Sequence, residues 1–177
     1  MQDGKGLPMK TKITESFIDL SLQKKTTKIP VRHLCEHIGI SRTTFYKYFK
    51  DTYEIIESVF MQDVFQPMET LHESHITPKL VIQGWYMNFY RHKDFFILAM
   101  KEDGQNSLFF TITNALTEYN KNLYTDILTG DDLEYYSYKY AAMQAMLMRK
   151  WLQGGMKISP DKMTEYFYND MLNGHFE

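Results

Sequence analysis

The sequence predicts an all-α protein, a small helix-turn-helix head on a larger helical body, with about nine helices in all. Three observations carry that expectation. Apolar residues recur at helical spacing almost throughout, and no alternating run is convincing as a strand. Val31 to Phe49, reading VRHLCEHIGISRTTFYKYF, holds two short amphipathic helices around a glycine-bearing turn. Charge also divides along the chain: residues 10–50 carry nine Lys or Arg against three Asp or Glu (+6), and residues 51–177 carry ten against eighteen (−8). A basic head therefore precedes an acidic body although the net charge is only −2.

The first helix is expected from about Met9 to Lys24, with Ile13, Phe17 and Leu20 on one stripe. Val31, Leu34, Cys35 and Ile38 give the second helix its apolar face, Gly39 allows the reversal, and Ser41 is placed to cap the third. Asp51 opens a fourth helix with Glu54 three residues later, a capping-box arrangement, and Ile55, Ile56, Val59, Phe60 and Val64 supply its apolar surface. Pro67 and Pro78 bracket the join. This helix is expected to link a head spanning residues 9–52 to a body spanning 53–177, so its tilt would set the position of the third helix. Five body helices follow: Pro78 to Arg91, Asp94 to Lys101, Asn106 to Leu128, Asp131 to Gln153 and Pro160 to Asn173. Asp131 and Asp132 suit a positive helix N-terminus, Gly154 and Gly155 stop that helix, and Ser159-Pro160 starts the next.

Length and composition narrow the function. A chain of 177 residues supports one good core, or a small head on a larger body. One cysteine excludes a disulfide framework within the chain, which points to a reducing cytoplasm. The densest apolar run, Phe95 to Met100, falls far short of the roughly 20 residues a membrane span requires, so a soluble protein with no membrane partner is expected. The opening residues MQDGKGLP lack periodicity and read as a mobile leader, one that need not be native sequence.

The stretch KIPVRHLCEHIGISRTTFYKYFKDTYEIIESVF resembles the N-terminal signature of the TetR/AcrR family of bacterial regulators. The resemblance rests on Val31, on Gly39-Ile40-Ser41, on Phe45, Tyr46 and Phe49, and on the capped fourth helix. One position departs: the family usually carries a lysine shortly after the last phenylalanine, and Thr52 stands here, with Lys50 two residues earlier. Near the C-terminus, Trp151 to Met156 and the following SPDKM resemble the end of several TetR-type C-terminal domains, including relatives of the dihydroxyacetone-kinase regulator DhaS. The resemblance implies a TetR-like fold and a homodimer built from the last two helices. It further implies an inverted-repeat operator in double-stranded DNA and an effector held by the body, most often in a repressor. The likeness to DhaS implies a second reading, a subunit that acts only with a co-regulator.

Candidate DNA contacts are Lys28, Ser41, Arg42, Thr43, Thr44, Tyr46, Lys47 and Lys50. Arg42, Thr43 and Thr44 lead the recognition helix, where an arginine can grip guanine O6 and N7; Tyr46, Lys47 and Lys50 are placed to hold phosphates. A solvated charged face is the alternative reading of the basic excess. Phosphate neutralisation dominates affinity, so the local cationic surface outweighs a pI of 6.3.

In the helix from Asp131, Leu133, Tyr136, Tyr140, Met143, Leu147 and Trp151 form one stripe, with Tyr135, Tyr138, Ala142, Ala145 and Leu152 around the other side. Such a helix is buried twice, against the core and against a second subunit, or else lies at the centre of a monomeric bundle. Trp85, Phe89, Phe109, Phe110, Tyr136, Tyr140 and Met143 are candidate linings for a small apolar or aromatic effector; the same residues at helical spacing also serve as plain core.

Catalytic and metal readings are poor. Cys35 sits on an apolar helix face, His33 and His37 read as solvated or DNA-facing, and Glu69, His72, Glu73 and His75 read as a polar connector. No nucleophile-base-acid arrangement is visible, so neither an enzyme, a metal site nor a cofactor is expected.

Overall fold

The computed structural model describes residues 8–74 and 76–172. Residues 1–7 of the expected leader, His75 and the expected helix end at Asn173 lie outside the described residues. The described residues form ten α-helices and one π turn: α1 Met9–Lys24, α2 Val31–Ile38, α3 Arg42–Phe45, α4 Thr52–Phe60, the π turn Met61–Phe65, α5 Gln66–Glu73, α6 Pro78–Arg91, α7 Lys93–Ala99, α8 Leu108–Tyr124, α9 Gly130–Gln153 and α10 Pro160–Leu172. Because α4, the π turn and α5 run on without a break, the described residues make nine rods and no strand.

The head forms as its sequence dictates. Ile13, Phe17 and Leu20 of α1, Leu34 and Cys35 of α2, and Phe45 and Phe49 around α3 are all buried in one apolar cluster. Gly39 adopts φ 77°, a left-handed conformation that costs glycine little, and its N–H closes α2 on the Cys35 carbonyl at 2.9 Å. Ser41 then accepts from the Thr44 N–H at 3.0 Å. The α-helical part of α3 is short, yet Tyr48 N–H and Phe49 N–H both return to the Phe45 carbonyl, which continues it as tight turns through Phe49.

Asp51 caps α4 by accepting from the Glu54 N–H at 2.9 Å, and the Glu54 carboxylate reaches back to the Lys50 N–H. Pro67, expected to bracket the join, does not interrupt the rod. Proline has no N–H to give to the carbonyl four residues back, and its ring crowds that turn. Here the preceding turn widens instead, with Gln66 N–H bonding the Met61 carbonyl five residues away.

Body boundaries shift by a few residues. α6 and α7 share His92 as a corner, and α8 starts at Leu108 after a turn in which Ser107 N–H bonds the Gly104 carbonyl. α9 begins at Gly130 with Asp131 and Asp132 in its first turn. It ends where Gly155 and Met156 take positive φ and Met156 N–H bonds the Trp151 carbonyl. Ser159 caps α10 through the Lys162 N–H at 3.2 Å.

One apolar core runs from Ile13 in α1 to Met156 after α9, crossing the seam between head and body. At that seam Phe17 meets Phe95 of α7 edge-on at 6.2 Å. Phe60, fully buried at the end of α4, lies 5.9 Å from each of Phe65, Trp85 and Phe89. Removing that ring opens a cavity at the meeting of linker and body. Phe60→Ala is therefore expected to cost about 3–5 kcal/mol in urea-induced unfolding. A loss below about 1 kcal/mol would show that neighbouring rings close the gap.

Candidate nucleic-acid interface and body cavity

The predicted DNA contacts fall into two sets. Arg42, Thr43, Tyr46 and Lys47 are exposed on α3 and the turns that continue it. The Arg42 guanidinium lies over the Tyr46 ring at 5.8 Å and its Nη2 donates to the Tyr46 hydroxyl at 3.4 Å. This pins a side chain that would otherwise be free in solvent, and holds it at the leading edge of the helix. Beneath them Phe45 is fully buried, and its ring contacts Tyr46 and Phe49, so the exposed row rests on a fixed floor.

The other predicted contacts are set against other parts of the fold. Ser41 and Thr44 share a hydroxyl pair at 2.9 Å in addition to the cap, which places them as the helix's own supports. Lys50 stands at the rim of a cleft of about 450 Å³ that also receives Glu54 and Glu57 of α4 and Glu118 of α8. Lys28, in the loop before α2, pairs its Nζ with Glu102 Oε2 at 2.9 Å. Glu102 accordingly holds the Lys28 ammonium above the usual lysine range. Lys28 is thus tied to the body, a link between residues far apart in sequence that no local pattern signals. Next to it, Asp103 is bound by Arg149 of α9.

The remaining polar candidates have structural settings. Burial pushes the Cys35 thiol up, which keeps it protonated. His72 packs its ring edge-on to Tyr119 at 5.4 Å. Glu69 is raised chiefly by desolvation and then by Glu73. Among the described residues no three His, Cys, Asp or Glu side chains gather as metal ligands, and no helix is long and apolar enough to cross a membrane.

The body contains a cavity of about 270 Å³ walled by α5, α6, α8, α9 and α10. Of the seven predicted lining residues, Trp85 and Tyr140 border it. Phe89 is fully buried in the ring cluster beside it, and Phe109 packs under the Arg149 guanidinium at 5.2 Å. Phe110 and Met143 point to solvent, while Tyr136 is half-buried, stacked on Tyr140 outside the wall. Sequence spacing placed these side chains on helices but could not say which helix face meets a void. Sequence reasoning missed Met68, His72, Tyr119, Asn120 and Tyr124, which border the cavity because α5 and α8 lie across it. Burial first, and the Glu69 charge second, push the Tyr119 phenol up to about 12.

The helix α3 depends on Ser41 for its first turn. Ser41→Ala should lower stability by about 1 kcal/mol in urea unfolding, and Ser41→Asp should restore most of it. Equal stability of all three proteins would mean that packing of Phe45 alone holds the helix.

Comparison with known proteins gives one family match: residues 77–173 match the TetR-type family described as transcriptional regulator C-terminal region. No curated protein matches the sequence significantly. Solved structures share the fold, among them the following two. The Thermus thermophilus FadR, a TetR family transcriptional repressor solved in complex with lauroyl-CoA, is 16% identical with a TM-score of 0.61, covering 93% of this chain and 94% of that one. Native NalD from Pseudomonas aeruginosa, the secondary repressor of the MexAB-OprM multidrug efflux pump, is also 16% identical with a TM-score of 0.61, covering 93% of this chain and 96% of its own. At that identity the likeness speaks for the fold.

Proposed function

This chain belongs to the TetR-type transcriptional regulators, whose C-terminal region it matches over residues 77–173, and on that premise we propose that it is a sequence-specific DNA-binding repressor released by a small effector. One observation carries the reading. The rod formed by α4, the π turn and α5 starts at the capped Asp51, directly after the recognition turns, and its far end places Met68 and His72 in the cavity wall. A ligand that fits the cavity in only one position of α5 acts on the head through that rod, by its differential affinity for the two positions. Lauroyl-CoA bound to the FadR neighbour is a precedent for a small-molecule effector on this fold.

The active form in this reading is a homodimer built on the C-terminal helices. On the outer side of α9, Tyr135, Tyr138 and Met146 are 63%, 57% and 55% exposed, and Ala142 lies between the last two one turn from each. Pairing two copies there covers this row and sets two recognition helices for the halves of an inverted repeat. A second reading, a subunit that works only with a co-regulator, is favoured by one observation: half-buried Thr52 opens α4 where the family's lysine would reach a phosphate.

Selection of bound fragments from random double-stranded DNA separates the two readings. A repressor returns a reproducible inverted repeat; an adaptor returns none. On the selected site Arg42→Ala is expected to cost about 1–3 kcal/mol and to relax preference at one position per half-site. Lys47→Ala should weaken all sequences alike and reduce the salt slope by about one charge per head. Lys28→Ala should change the slope less, because Glu102 already occupies its ammonium. Unchanged affinity and preference in folded Arg42→Ala would refute the base-reading role. Light scattering should give a dimer mass for the parent chain and a monomer mass for Ala142→Glu, which would bury an unpaired carboxylate.

A further inference from the structure

The chemistry of the cavity wall goes further than its existence and, resting on the effector reading above, names the class of ligand. Asn120 of α8 borders the cavity and is only 3% exposed. Its Nδ2 donates to the Ser137 carbonyl of α9 at 3.1 Å. A backbone carbonyl can only accept, so this bond fixes which end of the amide is which. No described residue donates to Asn120 Oδ1; it is not one of the fully enclosed unpaired side-chain atoms, which are Thr27 Oγ1 and Ser137 Oγ, so it stays accessible to a donor from outside the protein. An accessible acceptor beside a largely apolar space is a natural anchor for a ligand that brings a donor.

The rest of the wall sets the ligand's charge. Trp85, Tyr119, Tyr124 and Tyr140 present aromatic rings, and none of the described residues that border the cavity is a lysine or arginine. Lys139 is exposed outside it, its Nζ over the Tyr136 and Tyr140 rings at 5.3 and 5.1 Å. His72 contributes the one imidazole among the described wall residues. The carboxylates that act on the wall come from two sides: Glu69 on α5 adds to burial in raising Tyr119, and Asp170 on α10 does the same to Tyr86. Aromatic faces and nearby carboxylates attract a cation, whereas an anion drawn into this space would lose its hydration and find no fixed cation among lysines or arginines.

We propose that the cavity takes a ring-bearing amine, cationic at neutral pH, whose ammonium donates to Asn120 Oδ1 while its apolar body lies among Trp85, Tyr119 and Tyr124. The test is calorimetric titration of the full chain with three probes of one ring system: 1-naphthylmethylamine, 1-naphthylmethanol and 1-naphthoate. The amine should bind at least tenfold tighter than the carboxylate, with the alcohol between, and should weaken once the pH passes the probe's own ammonium pKa. Asn120→Leu should weaken the amine at least tenfold; because that change also strips the Ser137 carbonyl of its donor, Tyr124→Leu serves as a second variant and should weaken all three probes. Carboxylate binding as tight as the amine's, lost in Tyr124→Leu, would overturn the ligand class while leaving the cavity as the effector site. Amine binding that both variants leave unchanged would place the ligand elsewhere and overturn the proposal. Heat from none of the three, in a protein that still binds its selected DNA, would overturn both the class and the cavity's role.

Discussion

The fold turns on a column of aromatic rings that joins the head to the cavity. Phe17 of α1 meets Phe95, Phe95 meets Phe96, Phe96 meets Phe89, and Phe89 meets Trp85 at 5.1 Å on the cavity wall, with Phe60 of the linker packed against the last two. Edge-on and tilted ring pairs hold orientation as well as area, so a displacement at one end is resisted along the whole column. The head is therefore not a bead on a string. Its first helix is set by α7, its exit is α4, and both meet the same rings.

Charged groups hold the same seam from outside. The segment between α7 and α8 is bound twice, by Glu102 to Lys28 of the head and by Asp103 to Arg149 of α9, while Gln153 donates to the Met100 carbonyl at its start. α9 is also the helix whose outer side carries the exposed tyrosines and methionine. In the proposed dimer, a change in how two copies meet on α9 would be adjacent, through one short segment, to the loop that precedes α2. Isolated surface pairs contribute little to stability, and the value of these lies in where they connect.

Most of the head was legible because its determinants are local. Gly39 at its left-handed turn, Ser41 capping α3 and Asp51 capping α4 are each decided within four residues, and sequence states them directly. The stop at Gly154-Gly155 and the start at Ser159-Pro160 were legible for the same reason. The passage at Pro67 was not, since the helical period continues through Met61 to Phe65 and nothing in side-chain spacing distinguishes a π turn from an α turn. The cavity was half legible. Trp85 and Tyr140 reach it, but Phe89, Phe110 and Met143 share their residue types and spacing while lying in the core or in solvent. Asn120 gave no signal at all, because its meaning depends on Ser137 from the neighbouring helix.

The π turn has a bearing on how this linker tolerates change in length. A π turn amounts to one extra residue in an α-helix, and each residue of an α-helix advances the azimuth by about 100°. The rod's two halves are therefore out of register with each other by that surplus, and the surplus decides that Met68 and His72 look toward the cavity while Ile55 and Ile56 look into the core near the head. Deleting one residue within Met61–Phe65 would restore regular pitch and at the same time rotate every later side chain of α5 by about a quarter turn or more. The linker is accordingly indexed like a keyed shaft: residues within it can be exchanged, but its count cannot drift by one without turning the wall of the cavity away from the space it encloses.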